Sequence, residues 1–279
     1  MNALVLQSDF GLDDGAVSAM YGVAVGVDPT LRIHDVTHNI PPYDIWEGSY
    51  RLAQVLTYWP AGTVFVSVVD PGVGSDRLSV VARTATGHYV VTPDNGTLTH
   101  LDQLFGITEL REIDETRNRR PGSEESYTFH GRDIYAFTGA RLASGTTTYE
   151  EVGPSLDLST LVRLPVIEPE LTEGAVVGTI DTLDVRYGSL WTSIPRPLFR
   201  ELGVEPGDRV TVRVHHHDTV VHAAQVTYAR SFAAVEVGES LLYVNSLDRM
   251  AIAINRGHYA RAFALGTGAS WRVTLVPVR

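Results

Sequence analysis

The tightest constraint on the fold is a change of rhythm. Helix-period segments alternate with apolar, β-branched runs up to about residue 143, and beyond residue 174 short alternating runs dominate. In the first part, Ala3 to Gln7 is a short apolar run, Ala16 to Val27 is helix-like, Leu31 to Val36 is extended, Ile45 to Trp59 is helical, and Thr63 to Val69 is a β-branched strand. Leu78 to Arg83 and His88 to Val91 add strands, and a helix beginning near His130 runs to about Ala143. Strands that read as near-continuous apolar runs suit a sheet covered by helices on both faces. The expected first domain, residues 1–165, is α/β, a mostly parallel sheet flanked by helices.

The rhythm breaks in the Pro-punctuated stretch LVRLPVIEPELTEG, Leu161 to Gly174. After it, VVGTIDTLD, RVTVRVHHHD, TVVHAAQVTYA, SLLYVNS, MAIAIN and SWRVTLVPV read as strands at short spacing, and only Pro197 to Leu202 reads as helical. That pattern predicts a small antiparallel β-barrel or sandwich over residues 173–279.

Composition removes whole classes of chemistry. The chain has no Cys, which excludes disulfides, zinc thiolates and thiol nucleophiles. It has no Lys either, so neither a Walker A loop nor a Schiff base is available; codon bias suffices to explain that absence. With a net charge of −11 and no basic run longer than Arg119-Arg120, the chain lacks the cationic face a nucleic-acid partner needs. No stretch approaches the roughly 18 apolar residues of a membrane span, and MNALVLQSDF lacks the marks of a signal peptide, so the expected location is the cytoplasm.

Two loops carry the best candidates for chemistry. DPGVGSDR, Asp70 to Arg77, follows a strand, and FHGRD, Phe129 to Asp133, opens a helix. Together they offer a carboxylate, a guanidinium and an imidazole in Asp70, Arg77 and His130. Each alone has an ordinary structural reading as turn residue, surface charge or helix start, and their value lies in combination. A third loop, SDFGLDD from Ser8, places carboxylates at the carboxyl end of the first strand, where open α/β sheets bind ligands. Bare carboxylates there suit sugar hydroxyls, an ammonium or a divalent metal, while Asp13 or Asp14 could equally cap the following helix. The triplet His215-His216-His217 reads as a polar hairpin turn, because neighbouring strand residues point to opposite faces and no metal-spaced partners lie nearby.

These motifs, with DVTHNIPPYDIWEGS from Asp35, VTPDNGTLT, TLDVRYGSLWTSI and YVNSLDRMAIAIN, resemble the SAM hydroxide adenosyltransferase family, the adenosine-forming SAM hydrolases related to fluorinase and chlorinase. The likeness runs in order through the whole chain. It implies hydrolysis of S-adenosyl-L-methionine (SAM) to adenosine and L-methionine by water or hydroxide at C5′. SAM is then a substrate, and neither a cofactor nor a metal is required. It also implies a homotrimer whose active sites lie between the first domain of one subunit and the second of its neighbour. By the same likeness Asp70, Arg77 and His130 hold the attacking water, a trio the halogenating relatives lack. Asp9 would bind the ribose hydroxyls, Tyr43 would pack near the ligand, Asp14 and Asp184 would hold the methionine ammonium, Ser246 would meet its carboxylate, and Trp191 would lie beside adenine. Two positions depart from the family pattern: Ser189 stands where Asn is common, and Leu247 replaces a polar or aromatic residue.

Two other functions compete. A metal-dependent nucleoside hydrolase also begins with a strand followed by aspartates, but it leaves Arg77 and His130 without roles and would release a free base. A non-catalytic SAM or adenosine binding module would have no need of a water-polarising trio.

Overall fold

The computed structural model describes residues 3–278 and divides into two units, Met1–Leu164 and Pro165–Arg279. The first contains β1 (Ala3–Ser8), α1 (Ala16–Val27), β2 (Arg32–Thr37), α2 (Ile45–Val55), β3 (Val64–Val68), β4 (Ser79–Thr84) and β5 (Tyr89–Pro93). It continues with α3 (Thr99–Phe105), β6 (Ile107–Glu112), α4 (Glu115–Asn118), a π-helical turn Gly131–Ala136 that runs into α5 (Phe137–Ser144), and β7 (Ser155–Leu156). These strands form a 7-stranded sheet in the order β2-β1-β3-β5-β4-β6-β7. The pairs β1/β2, β1/β3 and β3/β5 are parallel, whereas β4 runs antiparallel to β5 and β6, and β7 antiparallel to β6. Thus β1, β2, β3, β5 and β6 share one direction, and β4 and β7 oppose it.

The period of two in the central strands divides the core. Leu4 and Leu6 of β1 and Val64, Val66 and Val68 of β3 pack with Met20, Ala24 and Ala140 on one side of the sheet. Val5 and Phe65 pack with Leu52, Leu56 and Leu101 on the other. Apolar side chains thus leave water on both faces, the condition under which a strand loses its polar alternation. Gly139 shows how closely α5 approaches the sheet, since a Cβ there would lie 2.4 Å from Val66 Cγ2. Helix α2 starts at Asp44, whose carboxylate accepts the Glu47 N–H at 2.9 Å, as an N-cap should. It ends earlier than its sequence pattern, in a 3₁₀ turn at Leu56–Tyr58 just before Pro60, which disfavours helix in the residue ahead of it.

The second unit contains β8 (Glu170–Thr172), β9 (Ala175–Leu183), β10 (Leu190–Pro195), α6 (Arg196–Arg200), β11 (Arg209–His216), β12 (Thr219–Tyr228), β13 (Ser240–Val244), β14 (Arg249–Ile254), α7 (Tyr259–Phe263) and β15 (Gly268–Pro277). Its sheet runs β10-β14-β13-β12-β11-β15-β9, and the pairing of β9 with β10 closes it into a barrel, with β8 added to the side of β9. Closure removes the unpaired edges an open sheet would expose. All pairs are antiparallel except β12 with β13. Val210, Val212 and Val214 of β11 point inward with Ile180, Leu190, Leu242, Ile252 and Leu275. The histidine triplet lies at the β11–β12 hairpin as expected: His217 takes the left-handed conformation of the reversal, and His216 stacks on Trp271 with ring centroids 4.4 Å apart. Among the described residues no three His, Asp or Glu side chains gather as a metal site would require.

Candidate active site

Strand β3 delivers the chain into the Asp70 loop, whose turn is tied by Val73 N–H to Asp70 O (3.2 Å) and by Ser75 Oγ–H to Gly72 O (2.7 Å). The loop returns Arg77 alongside Asp70. Arg77 Nε donates to Asp70 Oδ1 at 2.8 Å, and Nη2 completes the fork to Oδ2. Nη1 donates to Ser79 Oγ at 3.0 Å, and Nη2 also donates to His130 Nδ1 at 3.1 Å. Ser79 Oγ is in turn bonded to the Tyr135 hydroxyl (3.1 Å), and the guanidinium lies over the Tyr135 ring, 5.6 Å from its centroid. Arg77, Asp70 and His130 are thus one bonded unit, with the two charged side chains only 10% and 6% exposed.

His130 stands at the mouth of the π-helical turn. Such turns shift side chains off the ordinary helical register, which is why they recur at functional sites. The turn also needs Gly131: a Cβ there would lie 2.8 Å from the Phe10 ring. A guanidinium can only donate, and Arg77 is the nearer of two at the ring, so the neutral tautomer with its proton on Nε2 is the one assigned. Its pKa is lowered, first by burial and then by the charge of Arg77, while Glu115 and Asp70 oppose the shift. Burial pulls the Arg77 pKa down, but the bond to Asp70 and the surrounding negative charge more than reverse that, so the guanidinium stays charged.

Asp70 and His130, with Arg77 behind them, border a cavity of about 250 Å³ also lined by Asp9, Tyr43 and Phe129 among others. Asp9 follows β1 directly, and one of its oxygens accepts the Tyr43 N–H at 2.9 Å. Tyr43 itself has a left-handed backbone and a largely exposed ring. Asp14 does not line this cavity. It accepts the Ala16 N–H at 2.8 Å, an Asx turn just ahead of α1, whose N-cap is Gly15 without a side-chain cap bond.

In the second unit, Asp184 and Ser189 bracket the β9–β10 connection, with Asp184 N–H donating to Ser189 O at 2.9 Å. Trp191 and Tyr243 are both in register with Ala251 on β14, one from each side. The Tyr243 hydroxyl lies beside the Ser189 and Trp191 side chains, and its pKa is raised by burial, with a smaller push from Asp184. Asp184, Ser189 and Trp191 therefore share one corner of the barrel. Ser246 is exposed on the β13–β14 turn, where Asn245 Oδ1 accepts the N–H groups of Leu247 (2.9 Å) and Arg249 (3.1 Å).

Several residues at the site are invisible to motif reading. Ser79 and Tyr135 brace Arg77, and each looks like an ordinary strand or helix residue in the sequence. A second group lies behind Asp9: Ser8 Oγ bonds His38 Nδ1 at 2.6 Å, and His38 Nε2 bonds Asp35 Oδ1 at 3.0 Å. This is the order of a serine hydrolase triad, yet Ser8 is completely buried, so no substrate reaches it. Its role is structural: Ser8 Oγ accepts the Phe10 N–H (3.3 Å) and His38 O accepts the Gly11 N–H (2.7 Å), which holds the Asp9 loop.

Comparison with known proteins identifies the relatives of this chain. Residues 4–153 match the model of the SAM hydroxide adenosyltransferase N-terminal domain, and residues 178–272 match that of its C-terminal domain. A protein named (R)-S-adenosyl-L-methionine hydrolase from Salinispora tropica is 39% identical over 272 residues, covering 96% of this chain and 95% of its own. A fluorinase from Actinopolyspora mzabensis is 29% identical over 97% of this chain and 96% of its own. A solved structure of an uncharacterized conserved protein from Thermotoga maritima superposes with a TM-score of 0.89 at 31% identity, over 98% of this chain and 99% of that one. With both domain models matched and relatives above 30% identity along nearly its whole length, the chain belongs to the SAM hydroxide adenosyltransferase family.

Proposed function

We propose that this protein hydrolyses SAM to adenosine and L-methionine, by attack of water at C5′. The observation that carries the reading is Arg77 bridging Asp70 and His130 beside a cavity that also receives Asp9. The curated relatives named as (R)-SAM hydrolases point the same way.

The leaving group needs no help. Breaking C5′–S returns the bonding pair to a positively charged sulfur, and methionine departs as a neutral thioether. The nucleophile is the difficulty, because free water has a pKa of about 15.7. A guanidinium about 4 Å from it, at an effective dielectric of about 20, contributes about 4 kcal/mol, or about three pKa units. Hydroxide therefore stays scarce at neutral pH, and the proton must leave as the O–C5′ bond forms.

Asp70 is the acceptor the geometry favours. An ionised carboxylate offers about four lone-pair directions, and Arg77 occupies two. His130 has no free lone pair, since Nδ1 accepts from Arg77 and Nε2 carries the proton. The imidazole then orients the water, Asp70 takes its proton and passes it to solvent, and in-line positioning supplies much of the remaining acceleration.

In this reading Asp9 binds the ribose hydroxyls, Tyr43 packs beside the ligand, Asp14 and Asp184 hold the ammonium, Ser246 meets the carboxylate, and Ser189 and Trp191 border adenine. No cofactor is needed. A homotrimer with sites shared between neighbouring subunits fits the modest size of the cavity, which falls below the roughly 300–1,000 Å³ typical of pockets that enclose small ligands. Among the described residues no helix is long and apolar enough to cross a membrane, and in this reading the protein lies in the cytoplasm.

Incubation with SAM in the presence of EDTA tests the reading. Adenosine and methionine should appear in equal amounts at an undiminished rate. Free adenine or loss of activity on chelation would favour the nucleoside hydrolase, and saturable binding without turnover would favour the binding module.

A further inference from the structure

The His130 ring has a second cationic neighbour, on the side away from Arg77. Arg119 caps the C-terminus of α4, and its side chain is only 8% exposed. Its Nη2 donates to Glu115 Oε2 at 2.5 Å, and its Nη1 donates to the carbonyls of Ser126 (3.1 Å) and Ser123 (3.4 Å). The guanidinium also lies over the Tyr127 ring, 5.3 Å from the centroid. So held, Nη2 comes within 3.5 Å of His130 Nε2. Since Nδ1 accepts from Arg77, Nε2 carries the ring proton and cannot also accept from Arg119. The contact is one of charge.

The result is a near-symmetric chain: Asp70, Arg77, His130, Arg119, Glu115, in which the imidazole sits between two guanidiniums, each backed by its own carboxylate. We propose that Arg119 and Glu115 are positioning residues for the water site, acting through His130: Arg119 keeps the ring neutral into mildly acidic solution, and Glu115 limits that effect. Protonation of His130 would bring a third positive charge between the two arginines and turn Nδ1 from an acceptor into a donor facing Arg77. The direction of the His130 shift accords with this, with Arg119 pushing its pKa down and Glu115 pushing it up. The groups facing the ring are Asp70 and Arg77 from the loop after β3, Glu115 and Arg119 from α4, and Tyr127, whose ring centroid is 6.3 Å away. Tyr135, on the π-helical turn, reaches it through Ser79 and Arg77.

The inference rests on the water-site reading only for its effect on rate, and the test separates the two. The titration of His130 is followed by NMR of its Cε1–H in the full chain without SAM, the signal being assigned with His130→Asn. Arg119→Met should raise the titration midpoint and Glu115→Gln should lower it. Arg119→Lys, which keeps the charge but loses the carbonyl contacts, should leave the midpoint close to that of the unmodified protein. If Arg119→Met fails to fold, the contrast between Glu115→Gln and Arg119→Lys still decides the matter. Turnover with saturating SAM should follow: between pH 8 and pH 5.5, Arg119→Met should lose about tenfold more rate than the unmodified protein, the change in neutral fraction that one pH unit of displacement brings. A midpoint that moves the same way in Arg119→Met and Glu115→Gln, or in neither, overturns the proposal. So does a midpoint that moves while the rate profile stays fixed.

Discussion

Replacing Arg77 by Met should lower turnover by about 10²–10³-fold, the scale of loss when a preorganised donor is removed from a reacting centre. The same change should destabilise the fold by about 3–5 kcal/mol, because Asp70 is left buried without its countercharge. The two effects are separable. Arg77→Lys retains a cation near Asp70 but cannot make the fork and the bond to His130 together, so it should recover part of the stability and little of the rate. Arg77 does not line the cavity, so SAM affinity measured by calorimetry should fall much less than turnover. A rate within tenfold of the unmodified enzyme in a folded Arg77→Met protein would remove the guanidinium from the chemistry.

Asp70→Asn should be at least as damaging, with turnover lower by about 10²–10⁴-fold, the range of general-base catalysis. The amide keeps the shape of the carboxylate, so the loop should survive, but it cannot take a proton and it leaves Arg77 without a countercharge. The informative comparison is with His130→Gln, which removes an orienting group and leaves the acceptor in place. Rates measured side by side should rank Asp70→Asn below His130→Gln. The reverse order would transfer the proton-accepting role to the imidazole.

How far the sequence announces this molecule depends on the range of the interactions concerned. Helix α1 is legible to its ends, because its twelve residues complete about three turns and bury Val17, Met20 and Ala24 on one side. The central strands β1 and β3 are legible because burial on both faces leaves apolar runs. Helix α3 is not: it has seven residues, fewer than two full turns, and buries Thr99 and His100. Strand β6, ITELRE, buries only Ile107 and Leu110 fully, and the charges between them hide the period. Helix α7, five residues long, escapes for the same reason as α3. The parallel β12–β13 pair and the β9–β10 closure depend on partners that no local pattern specifies.

The site divides along the same line. Asp70, Arg77 and His130 stand in loops with unusual residue combinations, so they attract notice although 53 positions separate Arg77 from His130. Arg119 shows in the sequence only as half of a short basic pair, and Glu115 as one acid among many. Their proximity to His130 is a product of the fold. Ser8, His38 and Asp35 lie in quoted motifs, yet their mutual bonds, and the burial that makes them a scaffold, emerge only in three dimensions.

The central claim is that Asp70, Arg77 and His130 direct a water molecule at C5′ of SAM. Turnover in water enriched in oxygen-18, with mass spectrometry of both products, tests it most directly. One heavy oxygen per adenosine, at its 5′ position, with unlabelled methionine, is the expected result. Unlabelled adenosine, or heavy oxygen on a ribose released from adenine, would contradict it.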